Sequence, residues 1–157
     1  MKQVPPRVFL VLATIALLFV ATPATAKKHR NQAAVVVDFG NGIVEAECVS
    51  FRRPMINGVR LLRRAGFELD IERSSFGAAI CSIDSTGCDF PLEACFCQCS
   101  GGPTCVFWNF FVQGDGEWEF ATVGASQERV RNGTVHGWSF GSGAEPPLLT
   151  FEEICYD

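Results

Sequence analysis

Histidine is nearly missing from this chain, with only His29 and His136 in 157 residues. Neither lies beside a Cys, another His or a carboxylate at ligand spacing, so a zinc site or a Ser-His-Asp relay has little to be built from. Walker loops and HExxH helices are lacking. So are C-x-x-C pairs, which argues against a dithiol oxidoreductase. No nucleophile–base pair stands out, and neither catalysis nor a cofactor is expected. Only one apolar run is long, Val8 to Ala21, and its 14 residues fall short of the ~20 that a membrane-spanning helix needs. Internal repeats and low-complexity segments are absent too.

That run has the setting of a secretory signal. Lys2 and Arg7 precede it, and Ala24 and Ala26 follow it as in an A-x-A cleavage site. We read residues 1–26 as a removable leader and residues 33–157 as a single domain, secreted or extracytoplasmic, with no transmembrane segment once the leader is cut. The first cysteine is Cys48, so no lipid-modified Cys follows the leader. Cleavage leaves 157 − 26 = 131 residues, the size of one domain. Two of the 13 basic residues depart with the leader and none of the 17 acidic ones, so the remaining charge is 11 − 17 = −6. That balance argues against nucleic acid or an anionic membrane and leaves a small molecule or an envelope protein as the expected partner.

Cys48, Cys81, Cys88, Cys95, Cys97, Cys99, Cys105 and Cys155 form an even set, as full disulfide pairing in an exported chain requires. Six of them crowd between Cys81 and Cys105 with Gly87, Pro91, Gly101, Gly102 and Pro103, which reads as an irregular insertion held by bridges. Spacing does not choose among roughly a hundred pairings. A Cys48–Cys155 bond is the pairing we favour, and such a long closed loop contributes on the order of 4 kcal/mol. The rival reading makes Cys95, Cys97 and Cys99 a thiolate metal site, with three sulfurs on one side of an extended strand. Ready oxidation outside the cell and the lack of C-x2-C spacing favour disulfides.

Residues 27–32 are polar and read as a frayed start. Ala33–Phe39 and Ile43–Phe51 flank Asn41-Gly42 as a β-hairpin. Asn57 is placed to cap a helix over Gly58–Ala65, with Val59, Leu62 and Ala65 inward and Gly66 as its stop. Phe67, Leu69 and Ile71 alternate with charged residues as a half-buried strand, and Ala78–Ile83 returns beside it. A second hairpin joins Val106–Gln113 to Trp118 and Phe120 through Gly114-Asp115-Gly116. A third is expected around Asn132-Gly133, between 127–131 and 134–140. The tail from Gly141 reads as a loop. The sum is an α+β domain, a mostly antiparallel sheet with one short helix in β-grasp-like order, stapled by disulfides.

Trp108-Asn109-Phe110-Phe111-Val112, Gly116 with Trp118, Gly124-Ala125-Ser126, Val130-Arg131-Asn132-Gly133 and Trp138-Ser139-Phe140, behind the helix segment Gly58-Val59-Arg60-Leu61-Leu62, resemble the transcobalamin C-terminal-like domain family over about residues 34–140. The chain departs from that pattern in its Asn132-Gly133-Thr134 turn, where the family is acidic, and in the insertion at 81–105. The resemblance implies a β-grasp-like fold and a binding or surface module rather than a catalyst. It is the fold of the cobalamin-contacting part of vitamin carriers, which also use a large helical domain that these residues do not encode.

Trp108, Phe110, Trp118, Phe120, Trp138 and Phe140 are expected on one face of the sheet. A thick aromatic core is the plain reading. The ligand-binding reading takes Trp108, Asn109, Phe110, Trp118 and Trp138 as a platform for a small flat or corrinoid-like ligand, with Asn109 hydrogen-bonding an amide. The alternative is a cell-surface or structural protein-interaction domain. His136 reads as structural, and Asp115, Glu117 and Glu119 as the solvated side of a strand rather than paired hydrolytic carboxylates. Arg52, Arg53, Arg60, Arg63, Arg64 and Arg73 form the basic region, either a solvated face or a grip for an anion. Asn132-Gly133-Thr134 also fits the N-glycosylation acceptor pattern.

Overall fold

The computed structural model describes residues 30–102 and 104–156; the leader 1–26, residues 27 and 28, and His29 lie outside the described residues. Strand β1 (Asn31–Asp38) begins two residues earlier than the Ala33 start expected, taking in Asn31 and Gln32. Its run Ala33–Val37 has no exposed surface on either side, which is why alternation is lost there: a central strand is covered on both faces. The turn at 39–43 uses Gly40 (φ 72°) and Gly42 (φ 88°) in the left-handed region and returns the chain as β2 (Val44–Phe51).

After β3 (Ile56–Asn57) comes α1 (Gly58–Ala65), with the expected bounds. The Asn57 side chain accepts the Arg60 amide at 3.0 Å, and Gly66, at φ 110°, closes the last turn by donating its amide to the Leu62 carbonyl. Val59, Leu61 and Leu62 are buried while Arg60, Arg63 and Arg64 face water. A three-stranded sheet follows from β4 (Leu69–Ser74), β5 (Gly77–Ile83) and β6 (Thr86–Gly87).

The remaining strands are β7 (Phe107–Gly114), β8 (Glu117–Phe120), β9 (Arg129–Val130) and β10 (Val135–Gly141). The principal sheet has the order β2-β1-β10-β7-β8. Its first and last strands in sequence, β1 and β10, run parallel at the centre, and its other pairs are antiparallel. This is the α+β, β-grasp-like, disulfide-stapled arrangement expected.

The third hairpin does not form. β10 inserts between β1 and β7, burying both its faces, and β9 pairs instead with β3. Asn132 and Gly133 latch onto β1: the Asn132 side chain accepts the Gln32 amide and Gly133 donates to the Gln32 carbonyl, both at 2.8 Å. Burial of a whole strand outweighs the local turn preference.

The sheet's inner face carries the principal core, with Val35, Val37, Leu61, Leu62, Ile80, Trp108, Phe110 and Trp138 between sheet, helix and small sheet. The outer face carries Ala34, Val36, Phe111, Trp118 and Val135 under the tail. That tail is not all loop. Its end forms a second short helix, α2 (Phe151–Cys155), because Thr150 and Glu153 make a reciprocal capping box. The hydrogen bond from the Thr150 amide, then that from its hydroxyl, holds the Glu153 carboxyl below the usual range.

All eight cysteines are paired: Cys48–Cys155, as favoured, and Cys81–Cys95, Cys88–Cys97 and Cys99–Cys105. No thiolate is left for a metal. The first bridge spans 107 residues and fastens the tail across the sheet, a constraint of about 5 kcal/mol in the chain-entropy model; each short bridge in the insertion contributes about 2–3.

Candidate functional site

Successive residues of β7 and β10 point to opposite faces, so Trp108 and Phe110 share the inner face with His136, Trp138 and Phe140. Phe110 lies flat on Trp138, centroids 4.1 Å apart and planes 6° apart, and His136 stacks on Phe110 at 5.7 Å. Beside this stack, where β7 passes β5, opens an apolar cleft of about 150 Å³. Trp108, Phe110 and Trp138 line it along with Phe96, Phe120 and Val123. The latter three are exposed, Phe120 by 57 % and Phe96 by 44 %. Phe96 is fixed there by its neighbours: Cys95 and Cys97 are bridged to Cys81 and Cys88, and its ring meets Phe107 edge-on at 5.9 Å.

The single aromatic face expected from the sequence is divided. Trp118 pairs with Gln113 and packs in the outer cluster, whereas Phe120, which pairs with Phe111 at the end of edge strand β8, meets the Phe111 ring at 4.9 Å and also borders the inner cleft. A register set by the Gly114–Glu117 turn decides this. Trp118 lies over Gly137, where a Cβ would stand 2.8 Å from both the Trp118 ring and Pro146. Its indole N–H donates to the Pro146 carbonyl at 2.9 Å. Asn109, also expected at a ligand, is 1 % exposed, and its amide nitrogen donates to the carbonyls of Phe107, Ser139 and Gly141 at 3.0–3.2 Å. It ties β7 to β10.

Trp108 donates to the Thr86 carbonyl at 2.9 Å, whereas the Trp138 indole nitrogen and both His136 nitrogens are buried with no partner. Each such group costs about 1–3 kcal/mol. Burial lowers the His136 pKa from 6.5 to about 4, so the ring is neutral at pH 7. It has no acid–base partner within the stack.

One motif not singled out from the sequence is Gly137-Trp138-Ser139-Phe140-Gly141, which has G-x-S-x-G spacing. A nucleophile elbow needs a sharp strand-to-helix turn with an exposed Ser. Ser139 instead lies inside extended β10, 3 % exposed, with its hydroxyl donating to the Ala144 carbonyl, and on the face opposite His136. The motif here is structural. Asp115, Glu117 and Glu119 are exposed.

The molecule is thus a small α+β domain of β-grasp-like order, with a stapled insertion forming one wall of an aromatic cleft. Neither a family model nor a characterised protein sequence matches the chain. Among solved structures, the fold is similar to that of a protein from Ruminococcus gnavus ATCC 29149 for which metal binding has been suggested. The TM-score is 0.50 and the identity 17 %, over 73 % of this chain and 99 % of that one. At that identity the likeness shows the fold alone. Among the described residues no group of three or more His, Cys, Asp or Glu converges as metal ligands, and no helix is long and apolar enough to cross a membrane. Four disulfides fit an oxidising, extracytoplasmic setting.

Proposed function

We propose that the protein is an exported, non-catalytic binding domain that takes the flat apolar part of a small ligand into the cleft beside Trp138. The observation behind this reading is the cleft itself: an aromatic floor with an exposed aromatic rim, one wall of which is immobilised by two disulfides. Aromatic walls favour planar partners, and a rigid wall lowers the entropy lost on binding. Kinship with transcobalamin C-terminal-like domains is part of the proposal, supported by the strand order and the sequence resemblance. A corrin ring is too large for a cleft of about 150 Å³ and in the corrinoid version lies across the rim.

The test is fluorescence titration of the domain with cobalamin and with the neutral probe N-phenyl-1-naphthylamine, in wild type and Phe120→Ser. Saturable binding of the probe, lost in the variant, is expected. No Trp quenching by cobalamin at high micromolar concentration removes the corrinoid version, and no saturable binding of either removes the cleft. A second reading, a protein partner, is favoured by Phe76. It is 83 % exposed, and its carbonyl accepts the amide of Gly124 next to the rim residue Val123, so the apolar surface extends beyond the cleft.

A further inference from the structure

We propose that the arginine-lined end of the domain is a second binding site, separate from the aromatic cleft, for an anionic polysaccharide bearing sulfate or carboxylate groups along its chain. The β1–β2 ladder ends with Asn31 opposite Phe51, so Arg30 and Arg52 leave it side by side. With Arg53 and Arg64 they line a cleft of about 370 Å³. Arg53 is shared with a second cleft of about 380 Å³ that also holds Arg60 and Arg129. Six arginines therefore line two hollows that share Arg53, in a protein whose net charge is −4.

The local chemistry favours an occupant. Like charges set side by side repel, and among the described residues the one carboxylate lining either cleft is Glu128, whose Oε1 accepts the Arg129 amide. The Arg64 guanidinium is positioned by donation to the Ser50 carbonyl at 3.2 Å, and Asn31 fixes the Arg53 backbone by donating to its carbonyl at 2.7 Å. Planar guanidinium forks match sulfate and carboxylate oxygens two at a time.

Three features choose the polymer. Two adjoining hollows that share Arg53 set their arginines out along a line that suits a charged chain better than a flat bilayer. Among the described residues the one aromatic ring lining them, Phe51, is 2 % exposed and offers no surface on which nucleic-acid bases could stack. The acidic remainder of the molecule repels a polyanion elsewhere and so orients it to this end.

Dextran sulfate and uncharged dextran of equal length serve as probes of the folded domain by isothermal titration between about 50 and 300 mM salt. The expected result is binding of the sulfated polymer alone, weakening steeply with salt, and reduced about ten-fold or more in Arg52→Gln/Arg53→Gln. Arg60→Gln/Arg129→Gln tests the second cleft by the same criterion if the first variant does not fold. Phe120→Ser is expected to bind dextran sulfate like wild type, since the two sites are independent. No binding at the lowest salt, unchanged affinity in both folded double variants, or duplex DNA bound as tightly as dextran sulfate would overturn the proposal.

Discussion

Both faces of the five-stranded sheet carry tryptophan, and the two are finished in different ways. On the outer face Trp118 is covered by the tail, its indole donates to Pro146, and Gly137 leaves room for the ring. On the inner face Trp138 is stacked on Phe110, borders an open cleft and has no acceptor for its indole N–H. A side chain whose every group is satisfied by its own chain has a structural role. One that lines an apolar opening and leaves a buried polar atom unpaired is the better candidate for meeting something else.

The largest way to disturb this contrast is to release the outer cover. Cys48→Ala/Cys155→Ala removes the bridge that fastens the tail, and a loss of about 4–5 kcal/mol in denaturant unfolding is expected, with the three short bridges and the cleft retained. Acid probes the inner face next. The pKa of His136 is about 4 in the folded domain and ~6.5 unfolded, so between these values the unfolded chain binds more protons. Stability contributed by burying the neutral ring is present above pH ~6.5 and is lost as pH falls towards 4, by about 3 kcal/mol. His136→Phe should abolish that part of the pH dependence, measured as unfolding midpoints from pH 7 to 4.

Gly137→Ala drives a methyl group against Trp118 and Pro146 and should cost about 1–3 kcal/mol in thermal unfolding. The smallest effect is the most telling. Trp118→Phe and Trp138→Phe each remove similar ring volume, but only the first strands a buried carbonyl, while the second removes an unpaired donor. Trp118→Phe should therefore be the more destabilising by about 1 kcal/mol.

What the sequence revealed depended on locality. The β1–β2 hairpin and the Asn57-capped helix could be read because each is signalled by its own residues, an Asn-Gly turn and a cap with a glycine stop; the Cys48–Cys155 bond, across 107 residues, was favoured without any local signal to choose it. The α2 capping box is local as well, in Thr150 and Glu153, but it sits in a segment whose composition otherwise resembles a loop. The errors of face and pairing were not local. Asn132-Gly133 has the composition of a hairpin turn, but β10 is drawn into the sheet centre by β1, whose paired residues lie 101 positions earlier (Ala34 opposite Val135). The assignment of Trp118 to the platform failed because alternation identifies two faces without saying which one continues across a neighbouring strand. The short bridges of the insertion had no readable pairing, and with them the cleft wall carrying Phe96 was hidden.

The contrast between the faces is tested most directly by the indole N–H resonances of Trp108, Trp118 and Trp138 in a proton–nitrogen spectrum during titration with N-phenyl-1-naphthylamine. Saturable shifts of Trp138 and Trp108 are expected, with Trp118 unmoved. Shifts confined to Trp118, or none in any of the three at saturating probe, would overturn the contrast between the faces.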